Sequence, residues 1–157
     1  MKETGRKVLV RNAKASFNYF LSDFTEAGIV LVGTEIKSIR AHGATLNDSY
    51  VMFRRGEAYL INMHIAPYDK GNIFNHEPLR DRRLLLHKHE ILKISQKVKE
   101  QSFTVVPTSV YLKDGLVKVE IALGKGKKNY DKREVEKAKD DKKTMDRARK
   151  HGRHEEA

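Results

Sequence analysis

The fold is decided by the stretch FTVVPTSVYLKDGLVKVEIAL, which spans residues 103–123. Its first half, Phe103–Leu112, is rich in the β-branched and aromatic residues that favour strands. In its second half, Val117–Leu123, every second residue is a large apolar one, which is the pattern of a strand with one buried face. Between the halves, Asp114-Gly115 is a strong turn signal. The stretch therefore predicts a β-hairpin.

Further strands are predicted upstream of this hairpin. A second hairpin joins Tyr50–Phe53 to Ala58–Met63 through a turn at residues 54–57. Single strands are expected at Ser16–Phe24 and at Gly28–Val32.

Two helices interrupt the strands. Thr34 can cap a short helix that ends near Gly43. A longer helix is predicted over Asp81–Glu100, where the apolar residues fall at helical spacing. Pro67–Pro78 has the composition of an exposed loop.

Short antiparallel strands with one or two helices, in about 120 residues, predict a mainly β fold with peripheral helices. Closing the sheet into a small barrel removes its exposed edges, and the OB-type closed antiparallel β-barrel is a common way to do so. A half-open α+β sheet is the alternative.

The composition changes at Gly124, so we expect a compact body over residues 1–124 and a basic C-terminal tail over residues 125–157. The tail holds 13 Lys and Arg against 8 Asp and Glu, and its only large apolar side chains are Tyr130, Val135 and Met145. So little apolar surface cannot offset the entropy of ordering. We expect the tail to be disordered when free and to become helical on contact with RNA.

The charge points to polyanionic partners. The chain has 32 Lys and Arg against 21 Asp and Glu, a formal charge of +11, which favours nucleic acid or an anionic membrane surface. The alternative is a basic protein whose charge serves only solubility. No apolar run approaches the roughly 20 residues that span a bilayer, and cysteine is absent. A soluble, cytoplasmic protein without membrane contact is expected.

Catalytic motifs are absent from the sequence: there is no HExxH, no phosphate-binding loop and no glycine-rich dinucleotide motif. His64 and His76 could act with Lys70 as an acid–base set in RNA cleavage, or they could be ordinary loop histidines. His87 and His89 form a poor chelate, because side chains two apart on a helix diverge. We therefore predict no enzyme activity, no cofactor and no metal site.

Two basic clusters favour nucleic-acid binding, since lysine and arginine neutralise phosphates and glycine permits close backbone approach. An aromatic ring among the cations, Tyr130, can stack on a base. The clusters are Arg80, Arg82 and Arg83, and then Lys125, Lys127 and Lys128, with Gly124 before the first of these lysines and Gly126 after it.

Six short strings follow one another along the chain: residues 12–15 (NAKA), 26–29 (EAGI), 33–40 (GTEIKSIR), 83–87 (RLLLH), 124–128 (GKGKK) and 131–133 (DKR). Together and in this order they resemble the bacterial SsrA-binding protein family, also called small protein B, over essentially residues 6–150.

The resemblance implies an OB-type barrel that binds the tRNA-like domain of tmRNA and delivers this RNA to stalled ribosomes for trans-translation. It implies tmRNA-facing roles for Asn12, Glu26, Leu85 and Lys118. The first two can hydrogen-bond base edges or a 2′-hydroxyl, Leu85 can pack on an unstacked base, and Lys118 can pair with phosphate. The alternative readings are a turn residue, a surface carboxylate, a core leucine and a solvent-facing lysine.

The resemblance also implies a role for the start of the tail at the small-subunit decoding centre and in the empty mRNA channel of the stalled ribosome. The residues concerned are Gly126, Lys127, Lys128, Tyr130, Asp131, Lys132 and Arg133. No role is carried beyond Met145. Elongation factor Tu is an expected partner through the aminoacylated tmRNA, and the protein is expected to be a monomer. The alternatives are a structural ribosomal protein with a basic extension and the RNA-cleaving enzyme.

Overall fold

Antiparallel strands dominate the fold, in a computed structural model that describes residues 6–69 and 75–127. Three helices lie between the strands in this part of the chain. The elements in chain order are β1 (Arg6–Arg11), α1 (Ala15–Asn18), β2 (Tyr19–Ile29), α2 (Gly33–Arg40), β3 (Ala44–Thr45), β4 (Tyr50–Arg54), β5 (Glu57–Ile61), β6 (His64–Ile65), β7 (Arg82–Leu85), α3 (Lys88–Gln101), β8 (Thr104–Lys113) and β9 (Leu116–Gly126).

The main sheet closes on itself. Its strand order is β1-β8-β4-β5-β7-β2-β9, and β9 also pairs with β8, so six strands form a ring. Strand β8 pairs with β9 along one edge, while its other edge pairs with β4 at Val105 and with β1 at residues 109–113. The predicted mainly β fold with peripheral helices and a closed antiparallel sheet is confirmed.

Both predicted hairpins are present, and their turns have the backbone that a right-handed sheet twist demands. Asp114 and Gly115 have φ of 52° and 79°, and Arg55 and Gly56 have φ of 50° and 75°. Positive φ at both central residues matches the twist of the flanking strands. Glycine adopts this conformation without steric cost.

The core fills the inside of the ring with aliphatic side chains from nearly every strand. Burying such side chains is the main favourable term in folding. Its fully buried members include Ala58, Leu60, Met63, Ile65, Leu84, Val110, Val119 and Ile121.

The predicted long helix is wrong in its first third. Residues 82–85 form strand β7, and the helix begins at Lys88. Burial alternates along this strand: Arg82 is 0% exposed, whereas Leu85 is 50% exposed. The Glu90 carboxylate accepts a hydrogen bond from the His87 N–H at 2.9 Å, which fixes the true start of the helix.

The N-terminal predictions also need correction. The two strands expected at residues 16–24 and 28–32 are one strand, β2, preceded by the helical turn α1. Residues 6–11, which were not predicted to be regular, form β1.

Thr34 does not cap the short helix. It lies inside α2, and its hydroxyl hydrogen-bonds His76 Nδ1 at 2.9 Å. Instead, the carboxylate of Glu35 caps the start of the helix by accepting a hydrogen bond from the Val32 N–H at 2.9 Å. The helix ends close to Gly43, as predicted.

Among the residues described, no helix is long and apolar enough to cross a membrane. Strand β9 continues to Gly126, two residues past the position at which the composition changes. Residues 128–157 lie outside the described ranges.

Candidate nucleic-acid interface

Four strands place one row of residues across the outer face of the sheet. Gly28 on β2 is opposite Leu85 on β7 and opposite Lys118 on β9, and Lys118 is in turn opposite Tyr111 on β8. Side chains at opposed positions of neighbouring strands share a face. Leu85 and Lys118 are therefore brought together, although they are far apart in sequence.

Gly28 makes room for Leu85. A Cβ at position 28 would lie 3.1 Å from the Leu85 Cβ and 3.3 Å from its Cδ1, which is closer than normal packing allows. Leu85 therefore lies directly over the β2 backbone. Half of this apolar side chain remains exposed, so it is free to contact a ligand.

Glu26 lies two residues before Gly28 on the same face of β2 and is held by hydrogen bonds from β8. Tyr111 Oη donates to Glu26 Oε2 at 2.5 Å, and Lys113 Nζ donates to the same oxygen at 3.4 Å. The hydrogen bond from Tyr111, with the charges of Lys113 and Lys118, holds the pKa of Glu26 below its ordinary value. Glu26 is therefore a charged acceptor of fixed position at neutral pH.

Tyr111 is in turn held in place by neighbouring side chains. The Arg6 guanidinium lies 3.6 Å from the centroid of the Tyr111 ring and its Nη2 is 3.2 Å from Glu120 Oε2. The hydroxyl of Thr108 donates to Glu120 Oε1 at 2.7 Å. Burial, followed by the hydrogen bond to Glu26, raises the pKa of Tyr111, so its hydroxyl keeps the proton that it donates.

Glu26, Leu85 and Lys118 line one open groove of about 680 Å³. We call it the β2–β7 groove; its other lining residues are Gly28, Arg55, Gly56, Glu57, Arg83, Leu84, Leu86, His87, Lys88, Glu90 and Ile91.

The cations of the β2–β7 groove are only partly neutralised. Arg83 pairs with Glu57 at 2.6 Å. Arg55, Lys88 and Lys118 form no ion pair within residues 6–69 and 75–127. Unpaired cations beside an exposed apolar side chain attract a ligand that is anionic on one side and apolar on the other.

Asn12 lies apart from this groove. Its Nδ2 donates to the Pro107 carbonyl at 2.8 Å and its backbone N–H donates to the Thr108 carbonyl at 2.9 Å, which ties the end of β1 to β8. It lines a smaller cavity of about 240 Å³ together with Lys14 and Tyr50. The structure thus brings together three of the four residues predicted to face tmRNA.

The predicted decoding-centre residues fall mostly beyond the described part of the chain. Gly126 ends β9 opposite Tyr19, and Lys127 follows it. Outside the described residues lie Lys128, Tyr130, Asp131, Lys132 and Arg133.

The first basic cluster is not a nucleic-acid surface as a whole. Arg82 is fully buried: its Nε donates to Glu35 Oε2 and its Nη1 to the Met63 carbonyl, both at 2.6 Å. Arg80 Nη2 donates to the other Glu35 oxygen at 2.6 Å. Of the three arginines, Arg83 alone lines the groove.

This buried network keeps Glu35 ionised. Burial by itself would raise the pKa of Glu35, but hydrogen bonds from Arg80, from the Val32 N–H and from Arg82 outweigh it and lower the pKa. Burial lowers the pKa of Arg82, and Glu35 opposes that change.

The two histidines considered for catalysis have different surroundings. Both ring nitrogens of His76 are engaged, one with the Thr34 hydroxyl and the other with the Ile65 carbonyl at 2.8 Å. His64 is exposed on β6, and Lys70 lies outside the described ranges. Within the described residues, no group of three or more His, Asp or Glu side chains could hold a metal ion.

Sequence reasoning missed Tyr111 and Arg55 as parts of the site. The signal for Tyr111 was available, because a two-residue turn at Asp114-Gly115 fixes the hairpin register and sets Tyr111 opposite Lys118. Arg55 gave no such signal, since a hairpin tip does not reveal which groove it borders.

The fold and the groove together define a small, basic β protein of the kind that binds a polyanion. A model of the SmpB protein family matches residues 9–151 of the chain. The chain belongs to this family.

Named relatives agree with this assignment. The SsrA-binding protein of Clostridium tetani (strain Massachusetts / E88) is 55% identical over 140 residues, which cover 88% of this chain and 90% of the relative. The SsrA-binding protein of Clostridium botulinum (strain Hall) is 53% identical over 146 residues, covering 93% and 94%. The resemblance found in the ordered strings is confirmed.

A solved structure is also similar. It is described as "tmRNA-SmpB: a journey to the center of the bacterial ribosome", and one of its chains superposes with a TM-score of 0.64 at 43% identity. The match covers 76% of this chain and 84% of that chain.

Proposed function

We propose that the protein is an RNA-binding adaptor that binds the tRNA-like domain of tmRNA and delivers it to stalled ribosomes for trans-translation. The membership of the SmpB family, the relatives named SsrA-binding protein and the similar chain in a tmRNA-SmpB structure support this proposal.

One observation of the molecule carries the proposal furthest. Three side chains from three different strands, Glu26, Leu85 and Lys118, line one groove that also holds unpaired cations. An acceptor, an apolar contact and a cation in one groove match the base edge or 2′-hydroxyl, the base face and the phosphate of a nucleotide.

Each side chain then has a distinct role. Glu26 accepts a hydrogen bond from an exposed base or a 2′-hydroxyl, Leu85 packs against an unstacked base or sugar, and Lys118 neutralises a phosphate. Asn12 is half-buried and contacts the same RNA from its separate cavity.

The start of the tail acts on the ribosome in this proposal. Gly126 and Lys127, and then Lys128, Tyr130, Asp131, Lys132 and Arg133, contact the small-subunit decoding centre, and the tail enters the mRNA channel. Only a channel without mRNA has room for it, so the tail reports that the ribosome has stalled.

The protein works as a cytoplasmic monomer, without catalysis, and meets elongation factor Tu through the aminoacylated tmRNA. The engagement of both His76 ring nitrogens in structural hydrogen bonds supports an adaptor over an RNA-cleaving enzyme. A structural ribosomal protein would be present on every ribosome, whereas the adaptor should be enriched on stalled ones.

The decisive experiment is to purify the tagged protein from its own cells at low salt and to sequence the RNA that accompanies it. A single dominant tmRNA species is expected. A variant with Glu26→Ala and Lys118→Ala serves as the control and should recover much less of it. Recovery of ribosomal RNA alone, or of no structured RNA, would overturn the proposal.

A further inference from the structure

Two histidines form a parallel aromatic pair at the edge of the β2–β7 groove. The rings of His87 and His89 lie with centroids 5.5 Å apart and an angle of 11° between their planes. Both side chains are exposed, and His87 lines the groove together with Leu85 and Lys88.

The position of His87 is fixed by the start of α3. Its backbone is extended, with φ of −66° and ψ of 147°, and its N–H donates to Glu90 Oε1 at 2.9 Å. His89 lies in the first turn of the helix. Because His87 precedes the helix, the two side chains do not diverge as the sequence predicted but stack. The backbone of His87 is thus held in place, and the stack on His89 limits the orientations of its ring, which reduces the entropic cost of a contact.

The surroundings of the pair select the ligand. Lys88 lies between the two histidines in sequence, and Arg55 and Lys118 line the same groove, all without an ion pair among the described residues. Leu85 adds an exposed apolar surface. A flat aromatic ligand that carries negative charge fits this set, and a nucleotide of single-stranded RNA is such a ligand.

We propose that His87, backed by His89, stacks on one unpaired base of the bound RNA and so extends the contact that Leu85 makes. This inference rests on the proposed function, because the RNA is the one that the groove is proposed to bind. It adds a base-stacking site that neither the ordered strings nor the family match assigns.

The test uses the absence of tryptophan from the chain. The H87W variant carries a single indole at the proposed stacking position, and H64W carries one on β6, where His64 is exposed and does not line the groove. Titration with a transcript of the tmRNA tRNA-like domain should quench the fluorescence of H87W strongly and that of H64W little. Unchanged H87W fluorescence at saturating RNA would overturn the inference.

Affinity provides a second measurement. Stacking of one base predicts that H87A binds the transcript about five- to a hundredfold more weakly than wild type, while H87F stays within about threefold. Equal affinities of H87A and wild type would reject the stacking site and leave the proposed function standing. If wild type itself fails to bind the transcript, the proposed function fails first.

Discussion

Glu26 keeps its charge and its position because Tyr111 donates a short hydrogen bond to it, and Arg6 covers the ring of that tyrosine. The residue that would touch the ligand is thus held by two residues that would not. Such preorganisation reduces the cost of ordering on binding.

Removing the contact residues should weaken RNA binding. We expect Glu26→Ala or Lys118→Ala to reduce affinity for the tRNA-like domain by about 1–3 kcal/mol each, by analogy with the loss of one good base contact. Fluorescence anisotropy at fixed salt measures the change. Glu100→Ala, an exposed carboxylate of α3 that does not line the groove, is the matched control. Full affinity in both groove variants would remove this surface from consideration.

Tyr111→Phe should release Glu26 from its hydrogen bond without emptying the core. The pKa of Glu26 should then rise toward its ordinary value, since the largest cause of its depression is lost. An NMR titration of the Glu26 carboxyl carbon measures this. Tyr59→Phe, on the outer face of β5, should leave that pKa unchanged. A depressed pKa that persists in Tyr111→Phe contradicts the assignment.

At the scale of elements, the Glu35–Arg82 pair joins α2 to β7 through the interior. The sequence analysis placed Arg82 in a basic cluster that favours nucleic-acid binding. An arginine is seldom fully buried without a partner, and here the partner lies 47 residues away in the sequence. Hydrogen bonds to three backbone carbonyls complete the site of this guanidinium. A local pattern could not reveal such a long-range pair.

Breaking this pair should be costly. Arg82→Met leaves the Glu35 carboxylate buried with Arg80 as its remaining cation, and we expect a loss of about 3–5 kcal/mol in the free energy of unfolding. Urea denaturation measures it. Arg83→Ala, the next residue of the same strand, removes an exposed pair and should cost about 0–1 kcal/mol. Similar losses of unfolding free energy in the two variants would show that the buried pair stabilises the fold no more than the exposed pair does.

The same pair predicts how stability depends on acid. The folded pKa of Glu35 lies below its ordinary value of 4.5, so the stabilisation is fully present above about pH 4.5 and is lost as the pH falls through the folded pKa. Urea midpoints measured from pH 7 down to pH 3 should fall less steeply for Glu35→Gln than for wild type. Parallel pH profiles would contradict the assignment.

How much was predictable differs between elements for physical reasons. Both hairpins could be predicted from alternating apolar residues and from turn residues, because a half-buried strand and a two-residue turn each have a local sequence pattern. The stretch 81–87 was misassigned because Leu84 and Leu85 satisfy a helical spacing as well as a strand. Roles for Glu26, Leu85 and Lys118 were predicted only through the family resemblance, because no local sequence pattern places Glu26 near Leu85.

At the scale of the whole molecule, the predictions concern the net charge and the division of the chain into a body and a tail. Both the body and the tail contribute to the formal charge of +11, because residues 125–157 hold 13 cations and 8 anions. Binding to RNA should therefore weaken as salt increases, through the release of counterions from neutralised phosphates.

Truncation after Tyr130 should separate two activities. We expect the shortened protein to keep much of its affinity for tmRNA, because the β2–β7 groove is intact, and to lose the tagging of stalled chains. A tagging assay on ribosomes stalled without a stop codon measures this. A full-length variant with residues 131–157 in scrambled order keeps the charge and should also fail. Normal tagging by the truncated protein would refute the role of the tail.

The row of Leu85, Gly28, Lys118 and Tyr111 draws on four strands spread over more than half of the chain. A copy still being synthesised lacks this proposed RNA-binding row until β9 has emerged and paired with both β2 and β8. Synthesis through Gly126 is therefore required before the proposed recognition surface exists, so a nascent copy that lacks β9 should not compete with finished ones for the transcript.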